Sequence, residues 1–219
     1  MKTVEKLLAA AGEIWKAYNE HPFVLGIQNG TLEKAKFRYY MTQDYLYLEE
    51  YAKTFAIGIA KSKSLKMANF FAKYLSVMNG ELDVHNGYLA KLGVTQEEID
   101  STPRSLDNLS YTSYMLRVAY EEGEAEILAA ILSCAYSYEV IAKKIATNNP
   151  ESIHDGFYGA WIQGYASEAY AEENRILLKE LNRLTESYTE EQMHHLIDIF
   201  VACSRYELAF WEMAWRMSK

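Results

Sequence analysis

The chain has 219 residues, half of them hydrophobic, with 22 Lys+Arg against 30 Asp+Glu and a formal net charge of −8. That acidity argues against nucleic acid or an anionic membrane as the main partner, because both reward a basic surface. Three prolines and 11 glycines leave little room for long irregular segments, and two cysteines, Cys134 and Cys203, rule out a disulfide framework.

The chain opens with MKTVEKLLAAAGEIW. Charges interrupt its apolar stretch, so it reads as an amphipathic helix over residues 2–19 and not as a signal peptide. His21-Pro22 ends that helix, because the residue before proline avoids helical geometry. Asn29-Gly30-Thr31 is a turn, with Thr31 available to cap the next helix. Helical periodicity then predicts helices over 33–62, 64–92, 105–122, 124–146, 151–186 and 189–217. Gly93 stops the third of the seven helices, and Thr95 with Glu98 has the pattern of a capping box at a short connecting turn. Asn148-Asn149-Pro150 separates the fifth and sixth. No uninterrupted run of about 18 apolar residues occurs, so no membrane span is expected. The cytoplasm, with reduced thiols, is the default compartment. The expectation is an all-α protein, one helical-bundle domain over 1–219.

Within this pattern the informative residues are polar groups on apolar stripes. Residues 3, 4 and 7 apart share a helix face. Asp44 lies in the stripe Phe37, Tyr40, Met41, Tyr47, Leu48, Tyr51, Phe55, Ile59. Cys134 lies in the stripe Ile127, Ile131, Tyr138, Ile141, Ile145, and Glu207 in the stripe Met193, Ile197, Phe200, Ser204, Trp211, Ala214. A buried carboxylate without partners costs several kcal/mol, on the order of the penalty for desolvating a charge. Taken singly, such a cysteine is ordinarily a small core residue and such an acid a hydrogen-bond anchor. Two acids and a thiol pointing inward from three helices, with tyrosines one turn away, suit a flat heteroaromatic ligand with ring nitrogens. Cys203 has no such company and is assigned to packing.

Several strings carry a family resemblance. HPFVLGIQNGTL at 21–32 and FRYYMTQDYLYL at 37–48 closely resemble the TenA/thiaminase II family, and YTSYM at 111–115, EILAAILSC at 126–134 and RYELAFWEMA at 205–214 follow in the right order. The resemblance implies a fold similar to haem oxygenase, a homotetramer and no metal or organic cofactor. It also implies hydrolysis of a pyrimidine substrate, thiamin or aminomethyl-pyrimidine, to hydroxymethylpyrimidine, the second being a salvage of degraded thiamin. By the same resemblance Cys134 is the nucleophile and Glu207 the acid/base. Asp44 binds the amino edge of the pyrimidine, and Tyr47, Tyr111, Tyr138 and Tyr165 are pocket aromatics. The chain departs from the usual family pattern at Ser133, where proline is common, and at Ala135 and Ser137, where aromatics are common; the pocket shape is the feature these affect.

Three other readings compete. Glu151-x-x-His154 and Glu191-x-x-His194 have the spacing of di-iron carboxylate sites, but Glu191 and His194 fall opposite Glu207, and Glu151 suits an early-turn acid. Haem binding rests on fold analogy alone, with His21 and His85 as the available histidines; His85 reads equally well as a satisfied buried or groove histidine. The third alternative is a non-enzymatic regulatory or binding protein on the same fold.

Overall fold

The computed structural model describes residues 1–218, and the side chains of all of these except 78–81 and 83. Among the described residues the chain is entirely helical in its regular structure. The helices are α1 (Thr3–Glu20), α2 (Pro22–Gln28), α3 (Lys34–Lys61), α4 (Leu65–Lys91), α5 (Gln96–Ser101), α6 (Leu106–Glu121), α7 (Glu124–Asn148), α8 (Gly159–Ala166), α9 (Glu168–Leu184) and α10 (Glu190–Arg216), with a 3-10 turn at Pro150–His154.

Most helix ends have a local cause. Pro22 occupies the first turn of α2, where its missing N–H costs nothing, and His21 Nδ1 accepts the Phe23 N–H at 3.2 Å. The proline thus starts a short second helix as well as ending the first, which the periodicity did not reveal. Gly30 and Gly93 take positive φ, 66° and 68°. At the end of α4, Gly93 N–H donates to Ala90 and Val94 N–H to Leu89, the paired bonds of a Schellman cap. Ser64, Ser105 and Ser167 cap α4, α6 and α9 through their hydroxyls. Thr189 and Gln192 form a reciprocal capping box at α10. Two expectations are corrected here. Glu33, not Thr31, is the N-cap of α3. Thr95 accepts the Glu98 N–H, but no return bond from Glu98 completes a box.

The expected helix over 151–186 is in fact three elements: the 3-10 turn, α8 and α9. Asp155 Oδ1 accepts the Phe157 and Tyr158 N–H groups at 2.8 and 2.6 Å, folding the chain back. Gly159 follows because a Cβ there would lie 2.5 Å from the Ile153 carbonyl oxygen. Ser167 then restarts the helix as the N-cap of α9. Side-chain periodicity runs through all three elements, so it conceals the breaks.

α7 is the axis of the core. Ile127 through Leu132, Ile141, Ala142 and Ile145 are almost fully buried. By length and composition α7 qualifies as a membrane span, with mean hydropathy 1.4 over its apolar window, but 78% of that window is buried within the protein. Its apolarity serves the fold's own interior. Around it Trp211 stacks on Tyr40 at 5.5 Å, and Phe23 packs against both.

Candidate active site

α3 and α7 meet with α4, α8 and α9 around a cavity of about 470 Å³, within the range of roughly 300–1,000 Å³ typical of small-molecule sites. Asp44, Tyr47, Cys134, Tyr138 and Tyr165 line it, so three helices deliver five of the seven residues expected from the sequence. The other two need a correction. Glu207 and Tyr111 are buried and are not on the cavity lining; they sit in the packing that backs it.

Glu207 shapes the electrostatics of the site. Burial first, and then the charge of Asp44, raise its pKa to about 8; the hydroxyls of Tyr111 and Tyr138 hold it back in part. Its Oε1 is buried without a hydrogen-bond partner. A carboxyl group that retains its proton near neutrality is a general acid in waiting. Tyr111 and Tyr138 have their own pKa values pushed far up by burial, so they remain neutral phenols. Tyr47 behaves likewise, burial being the main cause and Cys134 the next.

Cys134 is half-buried and faces the cavity, whereas Cys203 is fully buried and its thiol pKa is driven up by burial. The assignment of Cys203 to packing therefore holds. The backbone just beyond Cys134 is pinned from α9: Ala135 O accepts from Tyr170 Oη at 3.0 Å and from Asn174 Nδ2 at 3.2 Å. Asn174 Nδ2 also reaches Glu139 Oε2 at 2.8 Å. Small residues around the cysteine serve this arrangement. Ser133 donates to Ala130 O and pairs with Tyr111 Oη, Ser137 donates to Cys134 O, and Ala135 lines the cavity itself.

An aromatic wall closes one end. Tyr138 packs on Tyr165 at 4.8 Å and on Trp161 at 5.9 Å, and Tyr165 meets Tyr170 edge-on at 5.2 Å. Tyr40 Oη donates to Tyr138 Oη at 3.1 Å and receives Trp161 Nε1–H at 3.4 Å. The break between α8 and α9 makes this wall, because it turns Tyr165 and Tyr170 toward the same space.

Sequence reading missed the partner of Asp44. His85 Nε2 lies 2.5 Å from Asp44 Oδ2, both residues being buried. The available signal was the spacing of His85 with Tyr88 and Leu89, which places it on the buried stripe of α4. Tyr74, Tyr170 and Asn174 were also missed; they belong to surfaces that only the α4–α9 approach brings to the cavity.

The rival metal motifs do not assemble. Glu151, His154, Glu191 and His194 are all exposed, and among the described residues no group of three or more His, Cys, Asp or Glu side chains is placed to hold a metal ion.

The fold and the cavity define a class: an all-α protein with a thiol, two acids and stacked phenols around a small-molecule pocket. The TENA/THI-4/PQQC family pattern matches residues 8–217, and the chain belongs to that family. It is 39% identical over 217 residues to the aminopyrimidine aminohydrolase of Helicobacter pylori, covering 99% of this chain and 100% of that one. The solved TenA homologue from P. horikoshii OT3 superposes with a TM-score of 0.85 at 32% identity, covering 99% of both chains. A domain of unknown function with a haem oxygenase-like fold from Shewanella denitrificans OS217, 16% identical, superposes with a TM-score of 0.79 over 98% of this chain and 92% of that one, a likeness of fold alone.

Proposed function

We propose that this chain is an aminopyrimidine aminohydrolase of the thiaminase II kind, releasing hydroxymethylpyrimidine from aminomethyl-pyrimidine, from thiamin, or from both. The observation that carries the reading is a cavity lined by the Cys134 thiol, Asp44 and Tyr138, with the buried acid Glu207 behind it, its pKa raised to about 8. The Helicobacter relative, matched over its full length, bears the name of this activity.

In the proposed reaction the ring enters with its amino group toward Asp44 and its faces against Tyr47 and Tyr138. The Cys134 thiolate adds to the ring carbon beside a ring nitrogen, forming a C–S bond, and Glu207 supplies a proton to that nitrogen from behind the cavity wall, relayed through the hydroxyl of Tyr138, which lines the cavity. The electron pair gained by the ring expels the leaving group from the exocyclic methylene, as neutral thiazole from thiamin or as ammonia from the protonated aminomethyl group. Water adds to the exposed methylene, and the proton it sheds passes to solvent. Loss of the thiolate, with return of the ring-nitrogen proton to Glu207, re-forms the aromatic ring. Tyr111 and Tyr138 steady Glu207, and Tyr165 closes the ring pocket. Every group this reading calls on is a residue of the chain or water.

The same reading has the protein working in the cytoplasm as a homotetramer, with no nucleic acid or membrane as partner. Leu106, Leu109 and Tyr120 support the assembly: all are exposed, and their spacing puts them on one stripe of α6. Light scattering in solution checks it. The chemistry is tested by turnover of aminomethyl-pyrimidine and thiamin side by side, with Cys134→Ser as the blank. Measurable hydroxymethylpyrimidine release from the wild type and its loss in the variant are expected. A variant turning over at the wild-type rate removes the nucleophile; a wild type inert toward both compounds removes the function.

A further inference from the structure

We propose that His85 is a positioning residue for substrate recognition: its Nε2–H holds Oδ2 of Asp44, so that Oδ1 is presented to the amino group of the aminopyrimidine ring. The inference rests on the proposed function and extends it to a residue outside the reacting set.

The geometry is specific. The two side chains come from α4 and α3, 41 positions apart, and meet at 2.5 Å with both residues buried, Asp44 at 5% and His85 at 1% exposure. A carboxylate is acceptor-only, so the imidazole nitrogen facing it is the donor, and such charge-assisted bonds are the short, strong kind. Asp44 also lines the cavity, whereas His85 is not on the lining. His85 therefore acts on a ligand through Asp44.

The need for such a partner follows from the surroundings of Asp44. Tyr40 and Tyr138 lie near enough for its charge to act on them, and Glu207 is a second acid. Among the described residues, His85 is the basic group that pairs with Asp44. The last torsion of an Asp side chain is broad, with no sharp staggered wells. Without a fixed donor the carboxylate would turn in its pocket and present either oxygen at variable angles. One N–H along a set direction removes that freedom before the ligand arrives, which is where preorganised sites gain affinity. The chemical consequence is discrimination. A ring amino group donates to the waiting oxygen, while a ring bearing an oxo group in its place presents a lone pair to a carboxylate and is rejected.

A purely structural tie between α3 and α4 predicts something else: lower stability on mutation, with unchanged affinity in the molecules that remain folded. The experiment uses the full chain and two substitutions. His85→Gln places an amide N–H near the position of Nε2, whereas His85→Asn is too short to reach Asp44. Calorimetric titration measures binding of hydroxymethylpyrimidine and of its oxo-ring analogue, and steady-state assays with aminomethyl-pyrimidine give kcat and KM. His85→Asn is expected to bind the amino ring about 10-fold or more weakly, in line with loss of a charge-assisted bond. It should also narrow the preference for amino over oxo, and put the loss on KM with kcat at saturation within about threefold. His85→Gln is expected to stay within about threefold of wild type in affinity and to keep the amino preference. Equal behaviour of the two variants, whether both intact or both impaired, overturns the inference while leaving the proposed function standing. A wild type that neither binds nor turns over an aminopyrimidine overturns the function instead.

Discussion

Glu207 on α10 keeps its proton to about pH 8 because it is buried and because Asp44, across the site on α3, adds a like charge. In the proposed reaction the two acids take different work: Asp44 faces the cavity as an acceptor, and Glu207 waits behind it as a donor. A division of this kind, set by environment and not by residue type, is what acid-base chemistry near neutral pH requires.

The raised pKa has a sign that can be checked. The folded-state value of about 8 exceeds the ordinary 4.5. Between these values the unfolded chain gives up the proton while the folded chain holds it. The stability associated with the protonated form is therefore complete below pH 4.5 and is lost progressively as pH rises toward 8. Glu207→Gln should flatten this dependence, and above pH 8 it should be more stable than wild type in urea unfolding. Its kcat should fall by roughly 10²- to 10⁴-fold, the usual contribution of a positioned acid. In the wild type, activity should decline above about pH 8 as Glu207 loses its proton. An unchanged pH profile of kcat in Glu207→Gln would reject the assignment.

The two thiols should differ in reactivity. Cys134 opens on the cavity, and Cys203 is fully buried with its pKa driven up by burial. Thiolate fraction and access both govern alkylation. Native protein is expected to take up about one equivalent of a thiol-alkylating reagent, at Cys134, with loss of activity, and about two after denaturation. Bound hydroxymethylpyrimidine should slow the native reaction. Mass mapping that places the native label on Cys203 would contradict this account.

Gly159 offers a test of the break before α8. A methyl group there would meet the Ile153 carbonyl oxygen at 2.5 Å, and backbone is not free to move aside. Gly159→Ala should destabilise the fold by about 1–3 kcal/mol, the range for overpacking, read from the urea midpoint. Trp161 and Tyr165 follow on the same short helix and line the cavity. The same substitution should therefore also weaken binding of hydroxymethylpyrimidine in the protein that remains folded. Normal stability and binding would show that the close approach is not needed.

The sequence by itself determined which way Asp44, Cys134 and Glu207 face. Each residue turns a helix by about 100°, so phase within one helix is a local property, written in the apolar residues on either side. It also marked the C-terminal ends of α1 and α4, where proline and glycine near the terminus impose the geometry. The tertiary structure alone decided how deep each group sits: Asp44 and Cys134 on the cavity wall, Glu207 and Tyr111 behind it. It alone decided that His85 meets Asp44, and that the stretch read as a helix over 151–186 breaks to bring Tyr165 and Tyr170 together. Helix phase says that a side chain points inward. What it meets there depends on which helices pack together, and that choice is made by contacts far apart in the chain, which no local spacing records.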